Sequence, residues 1–88
     1  MIIKEGFILK KILDDYVVVP TGDNIVDFSV AVSLNETGAF LWEQLKEEKS
    51  FKELVCALSE EYDVSEKDVE VDVEEFINLL KAHNFLVE

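Results

Sequence analysis

The chain has 88 residues and a formal net charge of −12, and its hydrophobic and charged shares are 49% and 32%. This length and composition predict one globular domain over residues 1–88, and no apolar run approaches the ~18 residues that a membrane span needs. One cysteine and one histidine exclude a disulfide framework and a multi-cysteine zinc site, and they leave too few groups for a catalytic constellation. We therefore expect a non-catalytic protein with no metal ion and no cofactor.

The acidic charge lies mainly in the second part of the chain. Residues 35–88 contain fifteen acids and five bases, a net charge of −10, whereas residues 1–34 carry −2. Such a surface repels the phosphates of nucleic acids and membrane surfaces, so we expect neither as a partner. It favours a basic or neutral protein or peptide partner, although solubility alone also accounts for many acids. The N-terminus, MIIKEGFILKK, lacks the features of a signal peptide, so the expected location is the cytoplasm.

Before residue 34 the sequence predicts three strands. Residues 7–13 are apolar with two lysines, Asp14 and Asp15 are typical of a tight turn, and residues 16–19 are aromatic and β-branched. Residues 20–24 form a turn cluster. In residues 25–34 apolar and polar side chains alternate, which predicts a strand with one face on the core.

After residue 34 the apolar period changes from two residues to 3.6, which predicts three helices. Each begins after a residue that can cap it, namely Asn35, Ser50 (with Glu53 in the capping-box position) and Ser65. The predicted core stripes are Leu34, Gly38, Leu41, Trp42 and Leu45 in the first helix, Phe51, Leu54, Val55, Leu58 and Tyr62 in the second, and Val69, Val73, Phe76, Ile77 and Leu80 in the third.

The third helix is expected to end at Asn84 in a left-handed conformation, before a short apolar tail at residues 85–87. The order of elements is then three strands followed by three helices. This order predicts an α+β fold in which three helices pack on one face of a small three-stranded antiparallel sheet, a winged-helix-like arrangement.

Two features remain once this core is assigned. Phe40, Val71 and Leu79 are apolar but lie off their helix stripes, so they either widen the core or line a groove for a partner. The third predicted strand is an edge if the strands form a meander, and Asp27 is its only charge. Such an edge can accept a peptide as an added strand, or it can be covered by the C-terminal tail or by a second copy of the chain.

The remaining reactive side chains do not form a catalytic pattern. Cys56 has acidic neighbours, which disfavour a thiolate, so we expect a passive thiol. His83 lies near the end of the third helix and is interpreted as structural or solvent-facing.

Residues 34–42 resemble the PqqD family, which has a Leu-Asn-x-Thr-Gly turn into a helix. Further matches to the family pattern are residues 16–20, Phe51–Tyr62, Asp72, Val73, Phe76, Leu80, Phe85 and Leu86, so the resemblance covers about residues 7–87. It implies a binding protein that holds the leader of a ribosomally made precursor peptide as an added strand, in a cleft between the third strand and the third helix. It also implies delivery of that peptide to a modifying enzyme, often of the radical S-adenosylmethionine type.

The family includes proteins of pyrroloquinoline quinone biosynthesis. Members from that pathway usually carry Pro-Glu-Gly after the second strand, where this chain has Pro20-Thr21-Gly22 and a longer turn. A recognition protein for another peptide product is therefore an equal alternative.

The predicted edge and the resemblance indicate the same peptide-binding site. We expect Asp72 and Glu75 to attract a basic or amide-bearing position of the leader. The predicted peptide-binding residues are Val26, Asp27, Phe28, Ser29, Val30, Ala31, Val32, Ser33, Val71, Asp72, Glu75 and Leu79. Leu34, Asn35, Thr37 and Gly38 are expected to be structural, through the turn, capping and close helix–strand packing. The alternative is a small acidic dimerising or regulatory protein that uses the same edge for self-association.

Overall fold

The computed structural model describes residues 1–21 and 32–87. Its strands are β1 (Ile2–Ile3), β2 (Phe7–Ile12), β3 (Asp15–Pro20), β4 (Val32–Leu34) and β5 (Leu86–Val87), and its helices are α1 (Glu36–Gln44), α2 (Phe51–Tyr62) and α3 (Glu66–Ala82). Strands β2, β3 and β4 form an antiparallel sheet in that order and precede the three helices, so the predicted α+β fold is confirmed. Residues 25–31 of the third predicted strand lie outside the described residues. Within the described ranges, no helix has the length and apolarity needed to cross a membrane.

The turn between β2 and β3 lies one residue earlier than predicted. Ile12 pairs with Asp15, so Leu13 and Asp14 form the turn and Asp15 belongs to β3. This register places Leu9 opposite Val18, which is fully buried. A turn at residues 14 and 15 would shift the register by two and place a lysine opposite Val18 on the core face. Burial of the sheet face therefore decides the turn position, and the two aspartates do not.

A second, two-stranded sheet joins the N-terminal and C-terminal segments. Ile2 pairs with Val87 and Ile3 with Leu86. The predicted apolar tail thus pairs with β1, and among the described strands it does not cover β4. Strand β1 was not predicted, because two residues are too short to show a period.

The core lies between one face of the three-stranded sheet and the helices. Most residues of the predicted helix stripes are buried, including Trp42 of α1, Leu58 of α2 and Leu80 of α3. The exceptions are Phe51 and Tyr62, which are 40% and 38% exposed. They are the first and last residues of α2, and at these two ends the apolar face of the helix extends beyond the core.

The predicted helix ends are also observed. Asn35 and Ser65 cap α1 and α3, and Ser50 forms a capping box with Glu53. The Ser50 backbone N–H donates to the Glu53 carboxylate at 3.0 Å, which lowers the pKa of Glu53. Asn84 has a φ of 58°, the left-handed conformation expected after α3.

The first testable prediction concerns the turn residue Leu13, which has a φ of 58° and is 90% exposed. Because asparagine adopts this conformation at lower cost than leucine and no buried contact is lost, Leu13→Asn is expected to raise the free energy of unfolding by about 1 kcal/mol. Urea denaturation measures this change. Leu13→Ala, which keeps the left-handed strain, is the control and is expected to be nearly neutral. Equal stability of Leu13→Asn and Leu13→Ala would contradict the explanation.

Candidate functional site

An open groove of about 280 Å³ lies between the end of β4, the first turns of α1 and the face of α3. The β4 and α1 side is formed by Ser33, Leu34, Asn35, Thr37, Gly38 and Leu41. The α3 side is formed by Asp72, Glu75, Phe76 and Leu79. The groove thus lies between the third strand of the sheet and the third helix, where the resemblance to the PqqD family implied a cleft.

The floor of the groove is apolar and one wall is acidic. Leu34, Leu41 and Phe76 are buried core residues whose surfaces close the bottom of the groove. Asp72 and Glu75 are exposed on α3 and stand one helical turn apart on the same face. A peptide side chain in the groove would therefore contact hydrocarbon below it and carboxylates beside it.

The predicted peptide-binding residues have three different positions. Ser33, Asp72, Glu75 and Leu79 line the groove, whereas Val32 is buried in the core. Val71 is 60% exposed and does not line it. The others, Val26, Asp27, Phe28, Ser29, Val30 and Ala31, lie outside the described residues.

The residues predicted to be structural also line the groove, a position that the sequence pattern did not predict. Asn35 accepts a hydrogen bond from the Gly38 backbone N–H at 2.7 Å and so begins α1 directly after β4. A Cβ atom on Gly38 would lie 3.4 Å from Cε1 of Phe76 and 3.2 Å from Oδ1 of Asn35. The absence of a side chain at Gly38 thus lets α1 approach α3 closely. The Leu-Asn-x-Thr-Gly turn directly follows the strand that was predicted to pair with a peptide. Its position in the sequence could therefore have suggested that these residues also line the groove.

The pairing of β3 fixes the direction of the backbone groups in β4. Hydrogen-bonded and non-hydrogen-bonded pairs alternate along an antiparallel ladder. The Thr21 N–H donates to the Gly6 carbonyl at 2.8 Å, so every second residue of β3 from there, including Val17, bonds to β2. Ser33 lies opposite Val17 and therefore points its N–H and C=O away from β3. Among the described strands β4 pairs only with β3, so these two groups form an open edge beside the groove.

The three apolar residues off the helix stripes have separate environments. Phe40 is half-buried, and its ring meets Tyr62 edge to face at a centroid distance of 6.3 Å, so it widens the core. Leu79 is half-buried against the core and also lines the groove. Within the described part of the chain, Val71 neither packs against the core nor lines the groove.

The reactive side chains Cys56 and His83 lie in separate environments. The Glu60 carboxylate lies 3.6 Å from the Cys56 sulfur, and its negative charge raises the pKa of the exposed thiol. Cys56 is therefore a poor nucleophile at neutral pH. His83 is exposed and stacks on Phe85 at 5.5 Å. Among residues 1–21 and 32–87, no group of three potential ligands is placed to hold a metal ion.

Comparisons with known proteins agree with the fold. The family profile described as Coenzyme PQQ synthesis protein D (PqqD) matches residues 15–86. A solved structure described as TbiB1 in complex with the TbiA(beta) leader peptide is similar, with a TM-score of 0.74 and 27% sequence identity over 98% of this chain and 94% of that one. No curated protein matches the chain. Since the family profile covers most of the chain, including the Leu-Asn-x-Thr-Gly turn at residues 34–38, the chain belongs to the PqqD family.

Proposed function

We propose that this protein binds the leader segment of a ribosomally made precursor peptide and presents it to a modifying enzyme. The observation that carries the proposal is the open backbone edge at Ser33, which borders a groove whose opposite wall is α3. Membership of the PqqD family supports it, as does similarity to TbiB1, which was solved with a leader peptide.

In the proposed complex the leader adds a strand beside β4. The N–H and C=O of Ser33 bond to the leader backbone, which provides affinity with little dependence on sequence. Alternate leader side chains then point into the groove, where Phe76 and Leu79 supply apolar contacts. A short strand with a few such contacts corresponds to nanomolar to micromolar affinity, roughly −8 to −12 kcal/mol.

The two edges of the three-stranded sheet are protected differently, which supports this mode of binding. Strand β2 contains Lys10 and Lys11, and lysines on an edge strand disfavour the addition of another chain. The described part of β4, by contrast, contains valine, serine and leucine and no charge. A sheet with one protected and one unprotected edge directs strand addition to a single side. This asymmetry favours a defined partner over indiscriminate self-association through both edges.

The proposed site extends beyond the described groove. It retains residues 26–31, because they precede β4 in the same predicted strand, and Val71, because it adjoins Asp72 on α3. Val32 belongs to the site through its backbone alone, since its side chain is buried.

The role of the protein in this proposal is recognition, without catalysis. The partner enzyme is of the radical S-adenosylmethionine type, and the peptide product is either pyrroloquinoline quinone or another modified peptide. The chain acts as one domain over residues 1–88, in the cytoplasm, where ribosomal precursors are made.

The direct test is an amide NMR titration of the labelled protein with the leader of the precursor peptide encoded beside it. We expect saturable shifts clustered at residues 25–33 and 71–82. Saturable amide shifts at other residues would show that the leader binds elsewhere on the protein. Absence of shifts with this leader and with a second neighbouring peptide would overturn the proposal. Light scattering at several protein concentrations then examines the rival function, self-association through the same edge.

A backbone substitution tests strand addition itself. Ser33→Pro removes the outward N–H without breaking the hydrogen bonds between β3 and β4, because the Ser33 backbone groups do not face β3. We expect the fold to persist and leader affinity to fall by at least tenfold, which is about 1.4 kcal/mol. Isothermal titration calorimetry measures the affinity, and the circular dichroism spectrum reports the fold.

The matched control for this variant is Ser33→Ala, which removes the side-chain hydroxyl and keeps the N–H. It is expected to bind the leader with nearly wild-type affinity. Wild-type affinity in a folded Ser33→Pro variant would exclude strand addition at this position.

Charge substitutions on α3 test the apolar contacts. Val71→Lys is expected to weaken leader binding about fivefold with no loss of stability, because the side chain is largely exposed. Leu79→Lys is expected to weaken binding more, and also to lower the melting temperature, because Leu79 packs against the core.

The control for both is Val87→Lys, which changes an exposed valine of β5 that does not line the groove. Calorimetric titration of the three variants compares their affinities at one temperature. Unchanged affinity of Val71→Lys would remove that residue from the site, and unchanged affinity of both α3 variants would move the site off α3.

A further inference from the structure

We propose that the leader contacts the protein on both faces of the three-stranded sheet. The leader residue opposite Ser33 carries an aromatic or long apolar side chain, which lies across Ser33 and contacts Val17 on the side of the sheet that faces away from the helices. This inference rests on the proposed function and specifies the class of peptide that the open edge accepts. Its basis is the register of β3 and β4, together with a second apolar surface of the sheet.

The second apolar surface lies on the side of the sheet that faces away from the helices. In β3, Tyr16 and Val18 belong to the core or pack against it, so the side chains that alternate with them point to the opposite face. An antiparallel sheet usually presents polar side chains on such a face, whereas β3 presents valines. We call this surface the outer face, and its apolar residues are Ile8, Ile12, Val17 and Val19.

The register determines which side chain of an added strand reaches the outer face. Ser33 is exposed between Val32 and Leu34, which are both buried, so its side chain points to the outer face. Side chains directly opposite each other on neighbouring strands project from the same face of a sheet. The leader residue opposite Ser33 therefore points to the outer face, and the residues before and after it point into the groove. This result holds for a parallel and for an antiparallel leader.

The small side chain of Ser33 determines how far the leader residue reaches. Val17 lies opposite Ser33 on β3 and is half-buried. An added strand lies two strand spacings from β3, or about 9.6 Å. Because serine is small, a long side chain from the leader can lie across it and contact Val17. Aromatic side chains and methionine have the necessary length, whereas alanine and valine do not.

The size of the outer face favours a leader side chain over a second copy of the chain. Two six-residue strands extend for about 20 Å and lie about 4.8 Å apart, so β2 and β3 together cover roughly 200 Å². A stable protein interface buries about 800 Å² on each partner, whereas one aromatic side chain buries about 150–250 Å². The net charge of −12 also makes two copies repel each other.

The first experiment measures leader affinity for Val17→Thr by fluorescence anisotropy. The probe is the labelled leader of the precursor encoded beside the protein. Threonine keeps the shape of valine and its preference for strands but replaces a methyl group with a hydroxyl, so we expect binding to weaken about three- to fivefold. The matched control is Val87→Thr, the same change at an exposed position of β5, which is expected to bind like the wild type. Circular dichroism reports the fold of both variants.

The second experiment identifies the leader residue. Each apolar residue of the leader is replaced in turn by alanine, and each peptide is titrated with the wild type, Val17→Thr and Leu79→Ala. One replacement should lower the affinity of the wild type and abolish the further loss caused by Val17→Thr. Residues coupled to Leu79 in the same way should lie an odd number of positions from it, because side chains that enter the groove alternate with those on the outer face.

The outcomes separate this inference from the proposed function. If the leader binds the wild type and Val17→Thr equally well, the contact on the outer face is wrong and leader binding stands. An even spacing between the residues coupled to Val17 and to Leu79 would also overturn the inference. Light scattering that rises with protein concentration and falls in Val17→Thr, with leader affinity unchanged, would make a second copy the occupant. If no leader binds the wild type, both proposals fail together.

Discussion

The hydrogen bond from the Gly38 N–H to the side chain of Asn35 connects the sheet to the helices. It ends β4 and begins α1 within one residue, so the open strand edge stays close to the first turn of the helix. The missing side chain of Gly38 then allows Phe76 of α3 to approach. The width of the groove therefore depends on Asn35 and Gly38, even though neither presents an apolar or charged side chain to a peptide. Asn35 and Gly38 therefore both cap α1 and determine the shape of the groove.

The fold was predictable from sequence where a local pattern of apolar and capping residues determines the secondary structure. The alternation before residue 34, the 3.6-residue period after it and the three capping residues are sufficient for the element order and the helix starts. The turn at Leu13 could not be predicted, because its position follows from the pairing of Leu9 with Val18 across the sheet. Strand β1 exists only through its pairing with β5, a contact between opposite ends of the chain.

The candidate site was predictable to a similar degree. Helical spacing alone puts Asp72, Glu75 and Leu79 on one face of α3, which is sufficient reason to group them. The same spacing could not separate Val71 from this group, because a residue next to Asp72 in sequence lies only about 100° away around the helix. The approach of α1 to α3 decides which of these side chains line the groove. That approach depends on tertiary packing, which no local pattern encodes.

In the proposed function, the open edge and the groove wall contribute differently to recognition. Backbone hydrogen bonds at Ser33 are available to any extended peptide, so they provide affinity without selecting a sequence. In the proposed complex, selection then comes from side chains that line the groove, among them Asp72, Glu75 and Leu79 on α3. In that complex, a substitution of the exposed Asp72 or Glu75 would change which peptide binds with little effect on the fold. A substitution of Leu79 would also lower stability, because Leu79 packs against the core. A side chain at Gly38 would meet Asn35 and Phe76, so it would shift the groove wall and affect every peptide alike.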